Sequence, residues 1–105
     1  LIAQSAAFLK GHTASDPFRG YHVKILTRQG ANAPGGAYSY VINGRMIAGF
    51  AMVAYPAEYG QSGVMTFIVS HNGKVYEKDL GKNSAQVGAQ MTTFNPGAGW
   101  KEVAR

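Results

Sequence analysis

Tyr38-Ser39-Tyr40-Val41-Ile42-Asn43-Gly44-Arg45-Met46-Ile47 is the stretch that decides how this chain folds. Two apolar runs flank Asn43-Gly44. Both central residues of a two-residue type I′ turn need positive φ, which Asn and Gly tolerate best, so the spacing predicts a tight β-hairpin. The same signal recurs downstream. An apolar run over residues 64–70 leads into His71-Asn72-Gly73-Lys74 and returns through Val75-Tyr76-Glu77-Lys78-Asp79-Leu80. Two such hairpins in a short chain predict an antiparallel meander.

Upstream, Tyr21-His22-Val23-Lys24-Ile25-Leu26-Thr27-Arg28 alternates as a strand. Tyr21, Val23 and Ile25 are expected to face a core, with His22, Lys24 and Arg28 on a basic outer face. Gly49, inside the return strand of the first hairpin, predicts a bulge or a close contact with another backbone. Over residues 1–10, Ile2, Ala6 and Leu9 recur at helical spacing, and Gly11 is a plausible stop. Ser84 is a candidate cap for a second short helix over residues 84–92, which Asn95-Pro96-Gly97 would end. Trp100 is expected to fold back over core. The resulting expectation is one α+β domain over residues 1–105. In it, an N-terminal helix (1–10) packs on a meander (21–80) of about four or five antiparallel strands, followed by a short helix (84–92) and a tail (95–105).

Composition bounds the rest. A chain of 105 residues with 46 % hydrophobic content can bury one core. Only 14 % of residues are charged, which fits exported and assembling proteins better than cytosolic enzymes. Net charge is +5, but the Lys and Arg residues are scattered singly, so no nucleic-acid stripe is expected. No stretch is long and apolar enough to predict a transmembrane segment. The absence of cysteine excludes disulfides, thiolate metal sites and thiol nucleophiles. No signal peptide is evident, and the start at Leu1 without Met points to a processed or partial product.

Chemistry-bearing motifs are missing from the pattern. His12, His22 and His71 lack metal-ligand spacing, so no metal is expected. Glu77 and Asp79 share a strand face, yet Lys74 and Lys78 beside them read as a solvated edge rather than an acid–base pair. Gly60-Gln61-Ser62-Gly63 lacks nucleophile-elbow spacing, and the loop from Gly30 to Gly36 has no phosphate-binding ending. The expectation is no catalytic residue, no cofactor and no enzyme activity. The six tyrosines stand out instead. Tyr38 and Tyr40 alternate along one strand, and Tyr55 and Tyr59 flank Pro56 in a loop running to Gly63. Exposed tyrosines build interfaces, although tyrosine is also a favoured strand residue with a buried ring. Tyr38, Tyr40, Tyr55, Pro56 and Tyr59 are therefore the candidate contact surface, joined by the apolar Leu1, Ile2 and Phe8.

Several stretches resemble a known family. Pro17-Phe18-Arg19-Gly20-Tyr21-His22-Val23-Lys24-Ile25-Leu26, Ala33-Pro34-Gly35-Gly36-Ala37-Tyr38, Asn43-Gly44-Arg45-Met46-Ile47 and Tyr55-Pro56-Ala57-Glu58-Tyr59-Gly60 carry the resemblance. So do Gly63-Val64-Met65-Thr66-Phe67-Ile68-Val69 and Val75-Tyr76-Glu77-Lys78-Asp79-Leu80-Gly81. The chain resembles the C-terminal half of a bacterial family catalogued as domain of unknown function 2950. That resemblance implies longer exported proteins of the periplasm, cell surface or extracellular space, and it supplies no activity. A second pattern is similar to the C-terminal sheet of type IV pilin-like proteins and pseudopilins. It consists of Gly20-Tyr21, Ala54 and Pro56, Gly60, Gly63, Phe67 and Gly73. The long apolar N-terminal helix of those proteins and their processing site are absent.

These observations lead to a non-enzymatic exported domain that acts by protein association. Its expected partner is itself or another envelope protein, in a homo-oligomer, filament, surface assembly or envelope complex. The alternative expectation is a ligand-binding or accessory domain of a larger periplasmic protein.

Overall fold

The computed structural model describes residues 20–103. The expected helix over residues 1–10, with the candidate contacts Leu1, Ile2 and Phe8, lies outside them. The α+β expectation is corrected within the described residues, which are mostly β. The order is β1 (Tyr21–Leu26), β2 (Arg28–Gln29), β3 (Tyr38–Ser39), β4 (Val41–Ile42), β5 (Arg45–Met46), β6 (Ala51–Pro56), β7 (Thr66–Ser70) and β8 (Val75–Lys78). A 3₁₀ turn (Gly81–Asn83) follows, then a single helix, α1 (Ser84–Gln90), then β9 (Thr93–Phe94) and β10 (Lys101–Glu102). A single pilin-like meander is not what forms. The strands divide among a five-stranded sheet in the order β1-β6-β7-β8-β10, a three-stranded sheet β3-β2-β9, and the separate ribbon β4-β5. The residues between the expected short helix and the expected tail supply β9, parallel to β2, and the tail itself supplies β10, antiparallel to β8.

The first Asn-Gly turn forms as its chemistry requires, with φ of 52° at Asn43 and 80° at Gly44. The second hairpin forms by a different turn. Gly73 N–H donates to Ser70 O at 2.9 Å, and Gly73 takes φ of 84°. Asn72 stays out of the left-handed region, as in a type I turn closed by a glycine.

Which face of the main sheet is inside also differs from expectation. The register His22↔Tyr55, Lys24↔Val53 and Leu26↔Ala51 puts His22, Lys24 and Leu26 on the face that carries the larger core. There Leu26, Val53, Tyr55 and Ile68 pack with Tyr40, Ala33 and Phe94, and Trp100 covers the cluster from outside as expected. Lys24 reaches this face because its stem is apolar and its head is spent on α1. Its Nζ donates to Ala89 O at 2.8 Å and Met91 O at 2.7 Å, supplying donors to carbonyls the helix end cannot pair. Val23, Met52 and Val69 form a smaller buried cluster on the other face, ringed by Ile25, Phe50, Ala54 and Val75. A strand apolar on both faces cannot announce its inner side by alternation.

Among the described residues, one buried group breaks the rule of satisfied polar atoms. Thr66, fully buried at the start of β7, has no hydrogen-bond partner for its Oγ1. Thr66→Val keeps the branched shape and removes an unpaired hydroxyl, so it should raise stability by about 1 kcal/mol. Urea denaturation checks this, and a lowered midpoint would mean that the hydroxyl is hydrogen-bonded in solution.

Candidate interaction surface

The ribbon β4-β5 shares no ladder with either larger sheet, although Met46 of β5 packs against the main core. Its ladder pairs Val41 with Met46 and Ile42 with Arg45. Val41 and Ile42 are consecutive, so they point to opposite faces of the ribbon. Both are exposed, at 37 % and 45 %, and Ile47 just beyond β5 is 69 % exposed. This is an arm with apolar side chains on more than one side.

Its root is fixed by tyrosine and histidine. Tyr40 is fully buried and donates its hydroxyl to Gln29 Oε1 at 3.0 Å. Gln29, itself 1 % exposed, donates through Nε2 to Pro34 O at 2.7 Å and Gly36 O at 2.8 Å. One amide thus pegs the Gly-rich loop and the arm's root together. Burial pushes the Tyr40 phenol up to about 12, with the neighbouring Tyr38 adding to the effect. On the outgoing side, Ala48 N–H donates to Tyr40 O at 3.1 Å.

His71, in the β7-β8 turn, bridges the two sides of this root. Its Nδ1 lies 3.2 Å from Phe50 N and 3.3 Å from Phe50 O, its Nε2 lies 3.4 Å from the Tyr38 hydroxyl, and its ring meets Tyr40 edge-on at 5.7 Å. Gly49 is required here, because a Cβ would lie 2.5 Å from Tyr40 Cδ1 and 2.9 Å from His71 Cε1. The close approach expected at Gly49 is therefore to side chains rather than to another backbone.

The outer edge of β4 is guarded. Ser39 Oγ accepts from Val41 N–H at 3.1 Å and donates to Val41 O at 3.4 Å. A strand cannot easily add there, so the arm offers side chains rather than backbone.

The tyrosines expected at the surface are placed otherwise. Tyr40, Tyr55 and Pro56 are buried, and their rings belong to the core and its rim. Tyr38 is half-buried against Tyr40, with centroids 5.6 Å apart. Tyr59 is half-buried and donates its hydroxyl to Asp79 Oδ1 at 2.8 Å, a bond that pushes its phenol up. Asp79 also accepts from Gly81 N–H at 2.9 Å, so it organises a turn instead of lining an open strand end. The loop around Tyr59 is closed on itself, with Glu58 N–H donating to Ser62 Oγ at 3.0 Å and Gly60 N–H to Gly63 O at 2.8 Å. Val41, Ile42 and Ile47 were not singled out from the sequence. The adjacent Val41-Ile42 pair carried the signal, since a two-stranded ribbon cannot hide both.

Among the described residues no three of His, Asp and Glu gather as a metal-holding group. A family model described as a protein of unknown function, DUF2950, matches residues 2–103. The chain belongs to the DUF2950 family. No curated protein and no solved structure matches it. The DUF2950 match gives the arm a family setting but no chemistry. Among the described residues of this DUF2950 chain, no helix is long and apolar enough to cross a membrane.

Proposed function

We propose that this DUF2950 chain is a non-enzymatic domain that acts by association, within an exported surface assembly or envelope complex. The β4-β5 arm is its contact. The observation that carries the reading is the exposure of Val41, Ile42 and Ile47 on an arm held rigidly at its root. Surface aliphatics scattered singly need no explanation, but three exposed within seven residues of one ribbon are a local concentration of apolar surface. A firm root lowers the ordering cost of using it. Low charge content supports the same reading.

The test is the double substitution Ile42→Ser with Ile47→Ser. Exposed positions of this kind shift stability by no more than about 0.5 kcal/mol, so the domain should melt as the wild type does. In fractionated cells of the native source, the share of the protein found with the envelope or in large complexes should fall. An unchanged distribution would rule the arm out as the contact.

A further inference from the structure

We propose that the occupant of the β4-β5 arm is an anionic lipid surface; this rests on the association reading above and names its partner. Three observations converge on it. The first is the distribution of apolar groups. Ile42 shares its face of the ribbon with Arg45, Val41 shares the other with Met46, which packs against the main core, and Ile47 lies just beyond β5. The exposed Ile42 and Ile47 are free to enter the boundary between headgroups and acyl chains.

The second is charge. From Gly20 to Ala57 the chain carries no carboxylate. The exposed Arg45 lies in the arm, and the exposed Arg28 pairs with Ser39 at its root. The exposed Lys74 belongs to the turn whose His71 contacts Tyr38 and Tyr40. The acidic residues among those described lie elsewhere. Glu77 and Glu102 sit on the paired strands β8 and β10, and Asp79 and Glu58 lie near Tyr59. The end that bears the arm is cationic, and the far sheet edge mixes both signs. Exposed apolar side chains accompanied by Arg and Lys are the composition of an interfacial anchor.

The third is the edge. Ser39 occupies the outer backbone groups of Val41, so the arm is not built to recruit a strand from a protein. The polar Asn43-Gly44 tip keeps the insertion shallow, at headgroup depth. The partly exposed Tyr38 at the root is the kind of side chain that settles at that level.

The experiment is co-sedimentation of the 105-residue chain with phosphatidylcholine vesicles, with and without phosphatidylglycerol, at low and high salt. The wild type should bind only the anionic vesicles. High salt should weaken binding and leave a remainder, since burial of the aliphatics is not screened. I42S/I47S should lower affinity roughly tenfold or more. R28Q/R45Q/K74Q should do the same and remove the salt dependence. V87S, which changes an exposed aliphatic on α1, should bind as the wild type does. In I47W, the added indole should fluoresce bluer on anionic vesicles, an independent readout on an otherwise unaltered arm.

Absence of wild-type binding overturns the proposal. So does wild-type binding by I42S/I47S, which would reduce the effect to adsorption of a basic surface. A third outcome separates the two readings. If the chain self-associates without lipid, I42S/I47S abolishes this and vesicles are not bound, association survives and the lipid partner falls. If the variant changes neither vesicle binding nor the cellular distribution, both fall.

Discussion

Truncating Phe94 to alanine should cost about 3–5 kcal/mol, the largest effect of any substitution proposed for this chain. Phe94 is 1 % exposed and sits in β9, the short strand that lies parallel to β2. Its ring meets Tyr76 at 6.0 Å and packs in the cluster with Leu26, Val53, Ile68 and Tyr40. Alanine leaves a cavity that the neighbours cannot fill, because Leu26, Val53, Ile68 and Tyr76 all belong to the five-stranded sheet and move only by breaking its ladders. A domain of this size holds roughly 5–15 kcal/mol in total, so F94A will be close to unfolding at room temperature. Urea denaturation measures the loss. F94L, which keeps most of the volume, should cost about 1 kcal/mol and gives the comparison if F94A is unfolded throughout. A loss below about 1 kcal/mol for F94A would mean that β9 is not docked in solution.

The second large effect comes from adding one carbon. Gly88→Ala should destabilise by about 2 kcal/mol although alanine is the better helix former. The propensity gain is about 1 kcal/mol. Against it, a Cβ at Gly88 would lie 2.4 Å from both Cγ and Cδ1 of Tyr55. Tyr55 is 9 % exposed in the central strand β6, and its other side meets His22 at 5.5 Å. The ring has nowhere to go, so α1 must lift off the sheet, straining the hydrogen bonds from Lys24 to its last carbonyls. Overpacking of this kind costs about 1–3 kcal/mol or more, which exceeds the gain. Stability equal to or above the wild type would show that the Tyr55 ring yields and that α1 packs loosely.

The parts of the fold that could be read from sequence are those whose cause is local. Asn43-Gly44 dictates its own turn through backbone freedom, the short helix begins at Ser84 with Asn83 rather than Ser84 at its cap, and the burial of Trp100 is legible from its own large ring. The parts that could not be read depend on partners far along the chain. β9 and β10 are two-residue pairings with no periodicity of their own, so β9 carries no strand signal and β10 reads as part of a tail. The inner face of β1 was misjudged because Tyr21, Val23 and Ile25 advertise one side, while Leu26 and the snorkelling Lys24 serve the other. The tyrosines show the same limit at the candidate site. The two at 40 and 55 have the same composition signal as the two at 38 and 59, and only tertiary packing separates a core ring from a half-exposed one. The arm was legible as a hairpin but not as a surface, because apolar strand residues ordinarily face inward.

The parallel pairing of β2 with β9 carries a consequence for synthesis. Thr27 N–H donates to Thr92 O at 3.1 Å and Gly30 N–H to Phe94 O at 2.9 Å, so early residues wait for late ones. Both hairpins can close as soon as they leave the ribosome, since each needs only its neighbours. The core cannot, because the ring that completes it, on Phe94, emerges long after β2 and the loop it closes is long. Between the emergence of β2 and that of β9 the tertiary lock stays open. A polypeptide in that condition can still be threaded through a pore, and the docking of β9 sets the moment after which it no longer can.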